Sequence, residues 1–369
     1  MIVYWSACFI SIALAWLVSK KYTIKGHFFQ GKIYWFIAVF VAALPLIYVA
    51  AVRYNVGADY TSYYKYYINI LGGGNRRNIT SLFTRERGQY EVLYYLINRL
   101  VAYFHLSAPW MFAFSAILFL MPVYKRIFDD SPYIWMSIFL LMAMGYYCYF
   151  LNGTRQMIGA AFLMLSIPFI EKKQFVPFLI LVLIATGFHT TCIIFLVVYI
   201  VAYVDISVKA LTIVTVVMFL FGNTFGNLAN SFLSGLEYYS SYLDSSYATR
   251  GQGYIVLAIN IILVIFTTVY YQKGNKRYQI YYDLQIIALW ASALTGKIVL
   301  IDRYRMVFGL PSIVLVPMAI SGIENKNTQK IVGALVVVLY FIYATYTIGF
   351  QNSNTVLPYQ TYWQAGIIQ

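Results

Sequence analysis

Charge is scarce in this chain: of 369 residues only 10% are Asp, Glu, Lys or Arg, and only 12 residues are acidic. A soluble domain averages about 25% charged residues, so a water-soluble fold is excluded. Histidine is limited to 3 residues and cysteine to 3. Cys8, Cys148 and Cys192 sit in apolar segments, which excludes a disulfide framework. Metal-ligand spacings, histidine pairs at i, i+4 and Ser-centred nucleophile elbows are missing, so zinc and hydrolase chemistry have little support. No metal or cofactor is expected. Gly72-Gly-Gly-Asn-Arg-Arg77 is a flexible turn; it lacks the Gly-x-x-x-x-Gly-Lys-Ser/Thr pattern and a preceding strand, so it is not a phosphate loop. Basic residues are also missing ahead of the first apolar run, with Lys20 and Lys21 following it. That is the reverse of a cleavable signal peptide. Residues 2–19 therefore read as a retained span with an outside N-terminus. No soluble domain, repeat or low-complexity tract is visible, and 1–369 reads as one transmembrane domain.

What the chain has is apolar length: 62% of residues are hydrophobic and the mean hydropathy is +0.71. Runs suited to crossing a bilayer, about 20 residues each, lie near 2–19, 33–52, 89–104, 108–124, 132–151, 155–171, 174–204, 207–222, 254–272, 281–299, 304–321 and 330–350. The expected fold is all-α: a polytopic membrane bundle of about 11–12 spans, with broken helices and an outer-face interfacial loop. The run 174–204 is too long for one straight helix and carries Thr186-Gly-Phe-His189 at its centre. Broken helices at membrane depth line cavities, so this run is split at Gly187. Tyrosine (37) and phenylalanine (27) are abundant. Aromatic belts and helix packing account for most of them; some rings could stack on a sugar or prenyl ligand.

The net charge of +14 is scattered through short loops, which argues against nucleic acid. It suits orientation by the positive-inside rule and neutralisation of an anionic lipid or a pyrophosphate. Lys20, Lys21, Lys25, Lys32, Lys172, Lys173, Lys273, Lys276, Arg277, Lys326 and Lys330 place their loops in the cytoplasm. Residues 53–88, 152–156, 187–190, 223–253 and 297–305 then face outside, with 53–88 and 223–253 as loops carrying short interfacial helices. Three runs separate two regions placed on the same side, so one of them does not cross. The choice falls on 89–104, which is short and interrupted by Arg99 and His105. The rival puts 53–88 in the cytoplasm.

Polar residues at membrane boundaries carry the chemistry, because a charge there is costly without a partner or a task. Asp59 follows the second run, beside Arg53, Gly57 and Tyr60. It can act as a general base toward a sugar hydroxyl or hold a divalent ion; the plain alternative is an ion pair with Arg53 or Lys65. Glu91 opens the next run, where the helix dipole also favours a carboxylate. Asn152-Gly-Thr-Arg-Gln156 begins a helix, and Arg155 with oriented amides can receive phosphate oxygens or merely snorkel. His189 lies at the helix break with a pKa suited to proton transfer, or is a satisfied packing residue. In Asp302-Arg-Tyr-Arg305, Arg303 and Arg305 can bracket a diphosphate with Asp302 orienting one of them, or anchor a span. Glu237, Asp244 and Arg250 lie among tyrosines in the loop 223–253, a mixture that suits sugars and equally a solvated loop.

Val56-Gly-Ala-Asp-Tyr60, Glu91, Asn152-Gly-Thr-Arg-Gln156, Phe188-His189-Thr190 and Arg303-Tyr304 occur in the order and spacing of the EpsG family. The chain resembles that family over nearly its whole length. It departs in having Thr190 where the family usually has a smaller residue, often serine. EpsG proteins are similar to the Wzy-type polymerases of exopolysaccharide, capsule and O-antigen pathways. The resemblance implies a multi-span glycosyltransferase-type enzyme in the bacterial cytoplasmic membrane, with its site facing outside. It would join oligosaccharide repeat units carried on undecaprenyl pyrophosphate, with a chain-length regulator and a flippase as candidate partners. Arg155 and Arg303, supported by Arg305, would hold the diphosphate. Asp59 or His189 would be the base, and Arg53, Tyr60, Glu91, Asn152 and Gln156 would bind or position substrate. The rival functions are a lipid-linked oligosaccharide flippase, a membrane acyltransferase and a secondary transporter. The last should show two related halves with matching interruptions, and only one clear break is present.

Overall fold

In hydrocarbon every backbone amide must find its partner within the chain, so long apolar runs fold as helices. The computed structural model shows this outcome. It describes residues 1–24, 32–74, 90–203, 208–235 and 253–367, and these contain helices and no strands. The loop residues Glu237, Asp244 and Arg250, and the part of the first polar loop beyond residue 74, lie outside the described residues.

In chain order the helices are α1 (Ile2–Ile24), α2 (Lys32–Val52), α3 (Tyr60–Leu71), α4 (Val92–Tyr103), α5 (Ala108–Asp130), α6 (Ile134–Ala143), α7 (Tyr146–Asn152), α8 (Thr154–Glu171) and α9 (Phe175–Phe188). A 3-10 turn (Thr190–Phe195) leads to α10 (Leu196–Val201), α11 (Val208–Leu220), α12 (Gly222–Ser234), α13 (Tyr254–Val269) and α14 (Lys276–Leu294). Then follow α15 (Ile301–Gly309), α16 (Ser312–Ser321), α17 (Lys326–Ala344) and a short π-helix (Thr345–Phe350).

Four of these helices are long and apolar enough to cross a membrane, and up to seven if each sharply bent pair counts as one span. The bent pairs are α6/α7 (49°), α11/α12 (71°) and α15/α16 (43°). Each apolar run of the sequence is therefore helical, but several are broken. The run 174–204 divides at α9, the 3-10 turn and α10, within two residues of Gly187. Helix α4 has 12 residues, about 18 Å at 1.5 Å per residue, well short of a ~30 Å hydrocarbon core.

Two polar clusters mark the ends of the bundle. Helix α8, at 18 residues, runs about 27 Å from Arg155 to Glu171. At the Glu171 end, Arg277 donates from Nε to Glu171 (2.7 Å) and from Nη1 to Asp130. Arg126 donates to Asp130 at 3.0 Å and the Tyr281 hydroxyl to Asp130 at 2.7 Å. The network joins the end of α5, the end of α8 and the start of α14. Asp130 is buried among these groups, and so it is paired, as a buried carboxylate must be. At the other end of α8 the helix interruptions gather.

Candidate active site

Five breaks in helical backbone line one cavity of about 530 Å³. Non-helical backbone at membrane depth is tolerated where it lines such a space. The walls are Met144 and Gly145 at the α6/α7 bend, Asn152 and Gly153 between α7 and α8, and His189 after α9. Thr295, Gly296 and Leu300 precede α15, and Thr347 and Ile348 belong to the π-helix. Gly145 sits at φ +82°, a left-handed conformation that ends α6 and starts α7 in a new direction.

Asp59 reaches this chamber through a close backbone contact. Gly57 has φ +100°, and a Cβ there would lie 2.5 Å from the Leu151 carbonyl oxygen. Only glycine fits that approach. It lets the Asp59 backbone N–H donate to the Asn152 side-chain oxygen at 3.0 Å. Asn152 thus positions the Asp59 loop as well as lining the chamber. The Asp59 carboxyl sits in the loop between α2 and α3, outside the helical spans. Desolvation raises its pKa, and Arg155 and Arg303 partly offset that rise.

Arg155 enters from the first turn of α8. It pairs with Glu91, and its guanidinium lies 4.1 Å from the centre of the Tyr90 ring. The Glu91 carboxylate also accepts the Thr190 N–H at 3.4 Å, so one buried acid ties Arg155 to the break after α9. His189 is buried at that break in extended backbone, and its Nδ1 is engaged by the Thr191 hydroxyl at 2.7 Å. Gln156 accepts from the Tyr149 hydroxyl at 2.9 Å and donates to the Arg303 carbonyl, which fixes α15 against α7 and α8. Arg303 and Arg305 both line the chamber. Asp302 orients Arg305 through a 2.7 Å bond to its Nε.

Asp59, Asn152, Arg155, Gln156, His189, Arg303 and Arg305 therefore line one chamber, and Glu91 pairs with Arg155. Three expected ligand-binding residues, Arg53, Tyr60 and Glu91, do not line the chamber, Glu91 being taken up by Arg155. Arg53 is fully buried and does not line the chamber; its Nη1 donates to the Leu151 carbonyl at 2.7 Å, and its guanidinium lies 4.8 Å from the Phe112 ring centre. It satisfies an orphan carbonyl at the end of α7. The Tyr60 hydroxyl is bonded to the Tyr362 hydroxyl at 2.7 Å, and neither residue lines the chamber. Among the described residues no cluster of three or more His, Cys, Asp or Glu is placed to hold a metal ion.

Other wall residues carried no signal in the sequence. Gln351, Ser353 and Asn354 come from the C-terminal segment, and Tyr63, Tyr149 and Tyr343 add rings. Patterning along the chain marks helices, and these side chains reach the chamber only by tertiary folding. A second, apolar groove lies between α1 and α17, lined by Met1, Trp5, Phe9, Phe341, Gly349 and Phe350 among others. The π-helix separates it from the chamber, with Thr347 and Ile348 on one side and Thr345 and Gly349 on the other.

Fold and site together define a multi-pass helical membrane protein with a chamber lined by arginines, carboxylates and a histidine. Residues 33–361 match the EpsG family, and the chain belongs to that family, which comprises Wzy-type polymerases of exopolysaccharide and O-antigen synthesis. No curated protein and no solved structure gives a match. Membership supports a polysaccharide polymerase-type function in general.

Proposed function

We propose that this chain polymerises oligosaccharide repeat units carried on undecaprenyl pyrophosphate, at the outer face of a bacterial cytoplasmic membrane. One observation carries the reading: three arginines, the Asp59 carboxyl and His189, from segments far apart in sequence, line one chamber at one end of the bundle. The acceptor hydroxyl attacks the anomeric carbon of the donor chain. A new glycosidic C–O bond forms, the bond from that carbon to the diphosphate oxygen breaks, and its electron pair leaves with undecaprenyl pyrophosphate. The hydroxyl proton passes to the base.

Asp59 is the preferred base, since a carboxyl whose pKa is raised lies closer to the working pH; His189 is the alternative. Arg155 and Arg303, with Arg305, face the negative charge that builds on the leaving diphosphate. Their own carboxylate partners, Glu91 and Asp302, hold two of the guanidiniums in place, which is the preorganisation that electrostatic stabilisation requires. The prenyl tail needs an apolar path beside the diphosphate, and the groove across the π-helix supplies one.

Loss of one preorganised donor costs roughly 3–4 kcal/mol in comparable oxyanion sites. In a strain that depends on this chain, Arg155→Lys and Arg303→Gln should leave single repeat units on the lipid carrier in place of long polymer. Normal polymer length in either variant removes that arginine from the diphosphate role. Absent surface sugar with cytoplasmic accumulation of lipid-linked units would instead indicate a flippase. Asp59→Asn with normal polymerisation would leave His189 as the base.

A further inference from the structure

The segment after the π-helix is short, irregular and folded back over the Asp59 loop. Asn352 builds its turn: the side-chain oxygen accepts from the N–H groups of Val356 (2.8 Å) and Leu357 (3.0 Å), and the side-chain nitrogen donates to the Leu357 carbonyl (2.7 Å). The turn is pinned at several points. Gly57 N–H donates to the Thr355 carbonyl at 2.9 Å, and Tyr54 N–H to the Gln360 carbonyl at 2.8 Å. The Tyr4 hydroxyl donates to the Val356 carbonyl at 2.8 Å, and the Tyr359 hydroxyl to the Val49 carbonyl at 2.8 Å.

These bonds have a geometric consequence. Asn354 adjoins Thr355, whose carbonyl holds Gly57, and Asp59 is two residues beyond Gly57. Asn354 and Asp59 both line the chamber. The neighbouring polar groups are engaged locally: Ser353 donates to the Thr347 carbonyl at 2.9 Å and Gln351 to the Tyr346 hydroxyl at 2.9 Å. The Asn354 carboxamide is half-buried and makes no hydrogen bond to the described residues. A neutral group with two donors and an acceptor suits a sugar ring better than a diphosphate, which the arginines serve.

We propose that the C-terminal turn forms the acceptor-sugar subsite, in which Asn354 holds the ring so that its attacking hydroxyl faces Asp59. The proposal rests on the polymerase reading, and its test separates the two. Two probes are titrated against purified protein: undecaprenyl pyrophosphate alone, and the lipid-linked repeat unit extracted from a host strain lacking this chain. Wild type should bind both. Asn354→Ala should bind the repeat unit roughly tenfold more weakly, the scale of one lost sugar hydrogen-bond pair, and bind undecaprenyl pyrophosphate as wild type does. In reconstituted polymerisation its defect should be relieved by raising the repeat-unit concentration about tenfold, whereas that of Asp59→Asn should not. Unchanged repeat-unit binding, or an equal loss for both probes, overturns the acceptor subsite alone. Wild-type protein that binds neither probe overturns the polymerase reading and the subsite with it.

Discussion

Replacing Glu91 by Gln removes one charge and little else. The Glu91 and Arg155 side chains are 4% and 16% exposed, so the pair is largely out of water. Removing one partner of a buried pair costs about 3–5 kcal/mol, because the other is left uncompensated. Gln keeps an oxygen for the Thr190 N–H, which Glu91 accepts at 3.4 Å, so the break after α9 should hold. The residual exposure of Arg155 and the Tyr90 ring at 4.1 Å recover part of the loss. The expected cost is therefore near the lower bound, about 3 kcal/mol. The assay is thermal unfolding in detergent followed by tryptophan fluorescence, for Glu91→Gln, Arg155→Met and the double variant. The single Glu91→Gln variant should melt several degrees below wild type. The double variant should be less destabilised than the sum of the singles by about 0.5–3 kcal/mol, the range for groups in direct contact. A Glu91→Gln protein that melts with wild type, or strictly additive losses, would refute the claim that Glu91 holds Arg155.

Other substitutions test the loop that delivers Asp59 and the groups behind it. Asp59 has a folded pKa raised above its ordinary value, so its stabilising contribution is full below the unfolded pKa and is lost as pH rises through the folded one. Because Asp59 is exposed, solvent screens this contribution, and Asp59→Asn should change melting little while polymer formation fails. For wild type, polymerisation should rise with pH through the Asp59 titration, since the base acts deprotonated; a flat profile in reconstituted enzyme contradicts that role. Gly57→Ala should shorten or abolish polymer, because its Cβ would lie 2.5 Å from the Leu151 carbonyl oxygen at φ +100°; wild-type chain length would show that the approach is not needed. Arg53→Leu should lower thermal stability by about 1.5–3 kcal/mol through the lost charged hydrogen bond. It should leave undecaprenyl pyrophosphate affinity unchanged in the folded protein, and a selective loss of that affinity would place Arg53 in the substrate site after all.

The helical framework was legible because apolar length is written residue by residue. Each long run became a helix, and Thr186-Gly-Phe-His189 marked the interruption where α9 gives way to a 3-10 turn. Boundary charges were harder to sort. Arg53 and Arg155 both sit at the edge of an apolar run, and composition cannot separate them. Arg53 meets the Leu151 carbonyl and the Phe112 ring, whereas Arg155 meets Glu91 at the chamber wall. The difference lies in partners 98 and 64 residues away. The C-terminal turn left no trace in periodicity, since backbone bonds such as Gly57 to Thr355 span the chain without demanding particular side chains. Asp130 and Glu171 drew no reading from the sequence, because their union through Arg277 depends on three helix ends meeting.

The most direct test of the shared chamber is an experimental structure with undecaprenyl pyrophosphate bound. The diphosphate should lie between Arg155 and Arg303 within hydrogen-bond distance of both, with Asp59 on the same wall and the tail leading across the π-helix. A diphosphate seated instead at the Arg126–Asp130–Arg277 end, or on the outer surface away from Asp59, would contradict the account.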